Sequence, residues 1–310
     1  MLKPSPEFEK LMEFLRERQF NAAITPIEQL RAGFERFAAA IADPPPVRTR
    51  AVDAGGVPAE WATAEQGIPD AAVLYLHGGG FGIGSIASYR DLSARIATEA
   101  EVSVLTLGYR LAPEHPFPAA LDDAMAAYRW LRDSMPASRI AVAGDSAGGG
   151  LAVSLVVALR DAGEPLPAGV VTFSPLTDLT HSGSSIKTQA ALDPLVGPES
   201  SRSYAHRYLA GHDPEDPLAS PLFGDLWGLP PVHIQAGTAE VLLDDALRLA
   251  RRLRDAGVSV DLDVWPEMVH ILPFFAARVP EARAALRNGA RFLRDRLDAT
   301  AEVDAPTAPV

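Results

Sequence analysis

Gly144-Asp145-Ser146-Ala147-Gly148 reads G-x-S-x-G, set between an apolar run at 139–143 and a helical pattern over 147–162. On a sharp strand-to-helix turn a serine takes strained dihedrals that expose its oxygen, and flanking glycines remove side chains that would clash. A hydroxyl presented in this way is a nucleophile once a neighbouring base takes its proton. A second glycine run, His77-Gly78-Gly79-Gly80-Phe81, follows the apolar run at 71–76. Consecutive glycines let backbone N–H groups point into a cavity, where they stabilise a developing oxyanion. The N–H of Ala147, at the positive end of the helix after Ser146, adds a further donor. The competing reading is a loop that grips phosphate, but neither G-x-G-x-x-G nor G-x-x-x-x-G-K-S/T occurs in the chain.

A serine nucleophile needs a base, and the chain offers seven histidines. Where this elbow sits on an α/β sheet the partners follow in the order serine, acid, histidine. His77 and His115 precede Ser146; His181, His206 and His212 fall in a segment without strands; His233 lies inside a strand pattern. Only His270 follows the last strand pattern, at 258–264. The acid then belongs between Ser146 and His270, just after a strand, and three carboxylates compete there: Glu240, Asp244 and Asp245. Glu240 stands at the carboxyl edge of the strand at 232–236, where α/β sites gather, and is assigned; Asp244 is the runner-up. Asp244 and Asp245 open the next helix, where a negative charge stabilises the dipole without any catalytic duty.

These residues must be held by a sheet. Strand patterns fall at 47–53, 58–63, 71–76, 102–107, 139–143, 169–174, 232–236 and 258–264. Helical patterns near 88–100, 118–133, 147–162, 242–256 and 281–297 alternate with them, which predicts a doubly wound α/β sheet, mostly parallel. Val73-Leu74-Tyr75-Leu76 and Ile140-Ala141-Val142-Ala143 are apolar throughout, as strands covered on both faces should be. Two helices are expected before the sheet. One carries Phe8, Leu11, Met12 and Leu15 on a single face. The other opens with Thr25 as N-cap, Pro26 at its first position and Glu28 completing a capping box. Between about 180 and 230 the alternation breaks, leaving a helix near 199–209 among many prolines and glycines; an insertion of this length suits a lid or binding wall. The expected organisation is a helical cap segment at 1–45, a catalytic domain at 46–298 holding the 180–230 insertion, and a flexible tail at 299–310.

Composition narrows the function. The chain has 310 residues, 47% hydrophobic and 22% charged, which excludes a disordered or fibrous protein. A formal charge of −12 repels phosphate backbones and anionic lipid, so no nucleic-acid partner is expected. The longest apolar stretch, Leu151 to Leu159, contains Ser154 and is too short to span a bilayer, so no membrane insertion is expected. The absence of cysteine excludes disulfides, thiol nucleophiles and Cys-based zinc sites. No H-E-x-x-H or EF-hand string occurs, so no metal or other cofactor is implied. The first residues lack the apolar core of a signal peptide, which leads to the expectation of a soluble, cytoplasmic protein. A homodimer is left open.

The glycine run at 77–81, the elbow at 144–149, Tyr109-Arg110-Leu111-Ala112-Pro113-Glu114-His115-Pro116-Phe117-Pro118-Ala119-Ala120 and Ser174-Pro175-Leu176-Thr177-Asp178-Leu179 together resemble one family. They are similar to the strings of the hormone-sensitive-lipase-like (bacterial family IV) carboxylesterases of the α/β-hydrolase superfamily, over roughly residues 45–298. The resemblance implies an α/β-hydrolase fold with a helical cap, Ser146 as nucleophile and His270 as its base. It further implies Gly79 and Gly80 as oxyanion donors beside Ala147, with Gly78 serving the turn. The string at 109–120 has no chemistry of its own and is expected to hold a helix packed beneath the site. Many relatives carry Asp at the position of Glu240, in a string resembling Asp-Pro-Leu-x-Asp; here it reads Glu-Val-Leu-Leu-Asp.

The expected activity is hydrolysis of short- to medium-chain acyl esters of small molecules through an acyl-enzyme. The same triad also serves amides, lactones and acetylated small molecules. A catalytically silent binding module on this fold is the alternative from another class.

Overall fold

The computed structural model describes residues 4–17, 21–65, 67–68 and 70–301. In chain order the elements are α1 (Pro6–Arg16), α2 (Ile27–Ile41), β1 (Arg48–Asp53), β2 (Pro58–Thr63), β3 (Ala72–Leu76), α3 (Ile86–Ala100), β4 (Ser103–Leu107) and α4 (Ala119–Arg132). There follow β5 (Ile140–Asp145), α5 (Ser146–Asp161), β6 (Val170–Phe173), α6 (Ser185–Thr188), α7 (Pro198–Leu209), β7 (Val232–Gly237), α8 (Leu243–Asp255), β8 (Val260–Trp265) and α9 (Pro280–Ala301). All eight strands read from the sequence are present. They form one sheet in the order β1-β2-β4-β3-β5-β6-β7-β8. β2 runs antiparallel to both β1 and β4, and every other pair is parallel.

Alternation along the central strands divides the core into two layers. Ala72, Leu74 and Leu76 of β3 belong to the layer that also takes in residues of α4, α5 and α8, whereas Val73 and Tyr75 belong to the layer that takes in α1, α2, α3 and α9. Side chains on successive strand residues point to opposite faces, so an all-apolar strand is what a sheet covered on both faces demands. From β3 the chain crosses to β4 on one side and returns past β3 to β5 on the other. The connections diverge there, and the crevice at the carboxyl ends of such strands is where α/β proteins bind ligands.

The face Phe8, Leu11, Met12 and Leu15 of α1 is buried as its spacing predicts, and the Ser5 hydroxyl caps the helix by accepting the Phe8 N–H at 3.2 Å. The capping box expected on α2 does not form. The cap position is Pro26, with no side-chain cap, because a turn closed by the Thr25 N–H on the Asn21 carbonyl precedes it. The backbone carbonyl of Pro26 accepts from Gln29 and Leu30 instead. Residues 299–301, expected in a flexible tail, continue α9, and 302–310 lie outside the described residues. The insertion between β6 and β7 contributes α6 and α7.

Candidate active site

β5 ends at Asp145 and α5 begins at Ser146, whose φ of 51° is the left-handed conformation of a strained turn. The turn closes only because its flanks lack side chains: a Cβ on Gly148 would lie 2.0 Å from the Leu76 carbonyl oxygen, and one on Gly144 2.3 Å from that of Gly148. The Ser146 hydroxyl stands 3.0 Å from Nε2 of His270. Nδ1 of His270 lies 2.7 Å from Oε2 of Glu240, and the other oxygen of that carboxylate accepts the Gly237 N–H at 2.9 Å. With Nδ1–H donating to the carboxylate, Nε2 is free to accept the serine proton. All three residues are buried.

Loop contacts fix this line of groups. The Ala239 N–H donates to the Met268 carbonyl and the Ile271 N–H to the Ser174 hydroxyl, so the segments carrying Glu240 and His270 are tied together and to the end of β6. Asp244 and Asp245, the competing acids, lie elsewhere. Asp244 accepts the Ser184 hydroxyl and the Ser185 N–H. Asp245 accepts the N–H groups of Thr177 and Asp178 and pairs with Arg248. Both anchor the base of the insertion. Burial alone would depress the pKa of His270, but the hydrogen bond and charge of Glu240, with Asp193 and Asp145 nearby, outweigh it and raise the ring above its ordinary value.

The glycine loop faces the serine across a cleft. Gly78 spends its N–H on Oδ1 of Asp145 at 2.9 Å, which leaves it to the turn. Gly79 and Gly80 have φ of 108° and 60°, and the Gly79 carbonyl is turned away to accept from Gly82 and Ile83. Among the described residues nothing accepts from the N–H of Gly79 or Gly80. Ala147 lies in the first turn of α5, where N–H groups have no intrahelical carbonyl to meet.

The string at 109–120 does more than pack a helix. The Tyr109 hydroxyl donates to the His77 carbonyl at 2.6 Å, and the Ala112 N–H to the Phe81 carbonyl at 2.8 Å, so the string grips both ends of the glycine loop. Arg110 reaches Asp123 of α4 with its backbone N–H and its guanidinium, which is the helix contact expected. His77 itself is sandwiched between Tyr89 and Tyr109, and burial lowers its pKa to about 4, so it stays neutral.

Two carboxylates escaped the sequence reading. Asp145, the first x of the elbow, accepts the Tyr75 and Tyr89 hydroxyls at 2.8 Å each, besides Gly78. Burial raises its pKa to about 6. Asp193, in the insertion, accepts the N–H groups of Leu195, Val196 and Val241, and so joins a cleft wall to the residue after Glu240. Asp145 was signalled by its place in the motif; Asp193 carried no pattern at all.

The cleft encloses about 1040 Å³, its open mouth included. Leu15, Leu30, Phe34 and Phe37 wall it from α1 and α2, and Leu195, Val196 and Tyr204 from the insertion, with Ser146 and His270 at the floor. Of the buried face of α1 only Leu15 reaches it; Phe8, Leu11 and Met12 pack in the core. Among the described residues no group of three His, Cys, Asp or Glu is arranged to hold a metal ion. Nor is any helix among them long and apolar enough to cross a membrane.

The sequence pattern of a family described as alpha/beta hydrolase fold matches residues 73–274. An acetyl-hydrolase of Streptomyces hygroscopicus is 43% identical over 291 residues, 94% of this chain and 97% of that protein. An esterase of Acinetobacter venetianus is 34% identical over 250 residues, 80% of this chain and 82% of its own. Among solved structures, an esterase from the bacterial hormone-sensitive lipase family superposes with a TM-score of 0.90 at 45% identity, covering 96% of this chain and all 100% of the other.

Proposed function

We propose that this chain, which belongs to the α/β-hydrolase-fold family and is a carboxylic ester hydrolase of the hormone-sensitive-lipase type, hydrolyses short- to medium-chain esters through an acyl-enzyme on Ser146. The observation that carries the reading is the hydrogen-bonded line from Ser146 through His270 to the buried Glu240. His270 takes the proton as Oγ of Ser146 attacks the ester carbonyl, and Glu240 holds the imidazole in the required tautomer. The N–H groups of Gly79, Gly80 and Ala147 receive the charge that develops on the carbonyl oxygen. His270 then protonates the departing alcohol, and water, activated by the same ring, releases the acid and restores Ser146.

Residues 1–45 and the 180–230 insertion act in this reading as a cap over the catalytic domain at 46–298. The cleft walls contributed by α1, α2 and the insertion support it. A walled apolar cleft holds a chain of limited length and favours dissolved esters over lipid droplets. The name of the Streptomyces relative favours acetyl groups within that range, and with them a second reading in which an acetylated small molecule is the natural substrate. An intact serine–histidine–carboxylate line argues against a silent binding module. A cytoplasmic, soluble enzyme without nucleic-acid partners completes the proposal, supported by the charge of −12.

The test is turnover of p-nitrophenyl acetate, butyrate and octanoate by wild type and Ser146→Ala, together with acetanilide as the amide comparison. Wild type should turn over the shorter esters and be inactivated stoichiometrically by an organophosphate. Ser146→Ala should lose several orders of magnitude in kcat while folding normally. A folded Ser146→Ala protein retaining more than about 10% of activity would sink the assignment of the nucleophile.

A further inference from the structure

The glycine loop is held from below by Asp145 and Tyr109, and the structure shows what lies on its other side. Helix α7, part of the insertion, lays two tyrosines one turn apart along it. The ring of Tyr208 stacks on Phe81 with centroids 3.6 Å apart and planes 6° from parallel. Tyr204 covers the glycines on either side of Phe81. A Cβ on Gly80 would lie 2.6 Å from Cγ and 2.9 Å from Cδ2 of that ring, and one on Gly82 would lie 3.1 Å from Cδ1. The ring therefore fills the space that a side chain at Gly80 would take, and it also lines the cleft.

We infer that Tyr204 is a positioning residue for the oxyanion hole. The inference rests on the reading of Gly79 and Gly80 as donors. A run of glycines has little intrinsic preference for the backbone direction the donors need, and a hole works only when its donors are held within about 0.5 Å of the productive geometry. Asp145 and Tyr109 fix the first residues of the loop, at Gly78 and His77. At Gly80, where φ is 60°, the atoms that stand against the backbone on its Cβ side are Cβ, Cγ and Cδ2 of Tyr204. The contacts to the loop are made by ring carbons and Cβ rather than by the hydroxyl, which burial keeps neutral by raising its pKa to about 12. The segment that walls the substrate therefore also sets the geometry of the hole.

The experiment compares wild type, Tyr204→Ala and Tyr204→Phe in full-length enzyme. It measures kcat and KM for p-nitrophenyl butyrate, the Ki of butylboronic acid, which forms a tetrahedral anion on the serine, and the Ki of butanamide, which does not. Removing one oxyanion donor outright costs about 10²–10³ in kcat, so loosening the donors in Tyr204→Ala should cost about 10- to 100-fold in kcat. KM and the butanamide Ki should stay within about threefold, while the boronate Ki rises in proportion to kcat/KM. Tyr204→Phe, which keeps the ring, should restore kcat and the boronate Ki to within about threefold of wild type. A folded Tyr204→Ala with wild-type kcat and boronate Ki overturns the inference, as does a loss confined to KM, which would make Tyr204 a wall of the cleft and nothing more. Failure of Tyr204→Phe to rescue overturns it too. If Tyr204→Ala does not fold, Tyr204→Leu carries the same test, with a smaller loss in the same two quantities expected and equality with wild type overturning it. Should wild type bind the boronate no more tightly than butanamide, the reading of the hole itself fails, whatever Tyr204 does.

Discussion

Asp145 accepts the Gly78 N–H at 2.9 Å, so the residue before Ser146 is bonded directly to the glycine loop that faces it. One carboxylate thereby ties the turn that carries Ser146 to the glycine loop. It also gathers the Tyr75 hydroxyl from β3 and the Tyr89 hydroxyl from α3. Four elements of the fold meet at a single buried side chain.

Asp145→Asn keeps the size but replaces one acceptor oxygen with a donor, leaving a buried hydroxyl or N–H without its partner. Such a loss costs about 1–3 kcal/mol. The melting temperature should fall, and kcat should drop about tenfold with KM little changed, because the loop rather than the cleft is disturbed. Calorimetry and p-nitrophenyl butyrate kinetics check this. Wild-type values of both would show that the loop is held without Asp145.

Glu240→Gln and Asp244→Asn test the proposed acid against its nearest competitor. Glu240 touches His270 at 2.7 Å, whereas Asp244 binds Ser184 and Ser185. Loss of the carboxylate that fixes a triad tautomer lowers kcat about 10⁴-fold in a related constellation, and Glu240→Gln should approach that. Asp244→Asn should stay within about tenfold of wild type, its effect arising through the insertion. The reverse ranking would move the acid to Asp244.

The strands and the elbow at Ser146 were legible because each rests on a local rule. An all-apolar strand needs a sheet covered on both faces, and a glycine-flanked serine between strand and helix needs the elbow. His270 followed by elimination, and Glu240 by its place at a strand end. Thr25 shows where local rules stop: a turn closed on Asn21 displaced the cap the motif predicted. Asp193 and Tyr204 were invisible for another reason. Their partners, Val241 and Gly80, are 48 and 124 positions away in the chain, and only the folded insertion brings them together.

The pH profile follows from the environment of His270. Its folded-state pKa lies above the ordinary 6.5, and only the neutral ring can act as base. As pH falls, kcat/KM should therefore decline with a midpoint above 6.5, on the alkaline side of an unperturbed histidine. Protonation of Asp145, near pH 6, should steepen the lower part of that limb, because a protonated carboxyl accepts the donors of the loop less well. Glu240→Gln should move the midpoint down, since it removes the charge that raises the ring. A midpoint below 6.5 in wild type would contradict the strength assigned to the Glu240 contact.

The last prediction concerns the wall that α2 contributes. Deleting the first 42 residues cannot isolate that role, because Phe8, Leu11, Met12 and Leu15 belong to the core layer shared with α3 and α9. Their removal would strip the fold along with the cleft. Phe34 offers a cleaner test, being only half-buried and exposed to the cleft, with Phe37, Tyr89 and Phe274 packed around its other edges. Phe34→Ala empties a ring's volume beside the site without touching Ser146, His270 or the glycine loop. Each methylene a substrate adds to an apolar pocket is worth about 1–3 kcal/mol when room exists for it. The ratio of kcat/KM for a C8 over a C4 chain should rise at least about tenfold. Measured separately with p-nitrophenyl esters of varied acyl length and acetates of varied alcohol length, the rise assigns α2 to the acyl or the alcohol side. Reaction with a small organophosphate should proceed as in wild type. Unchanged ratios in both series would remove α2 from the substrate pocket and leave it a packing helix.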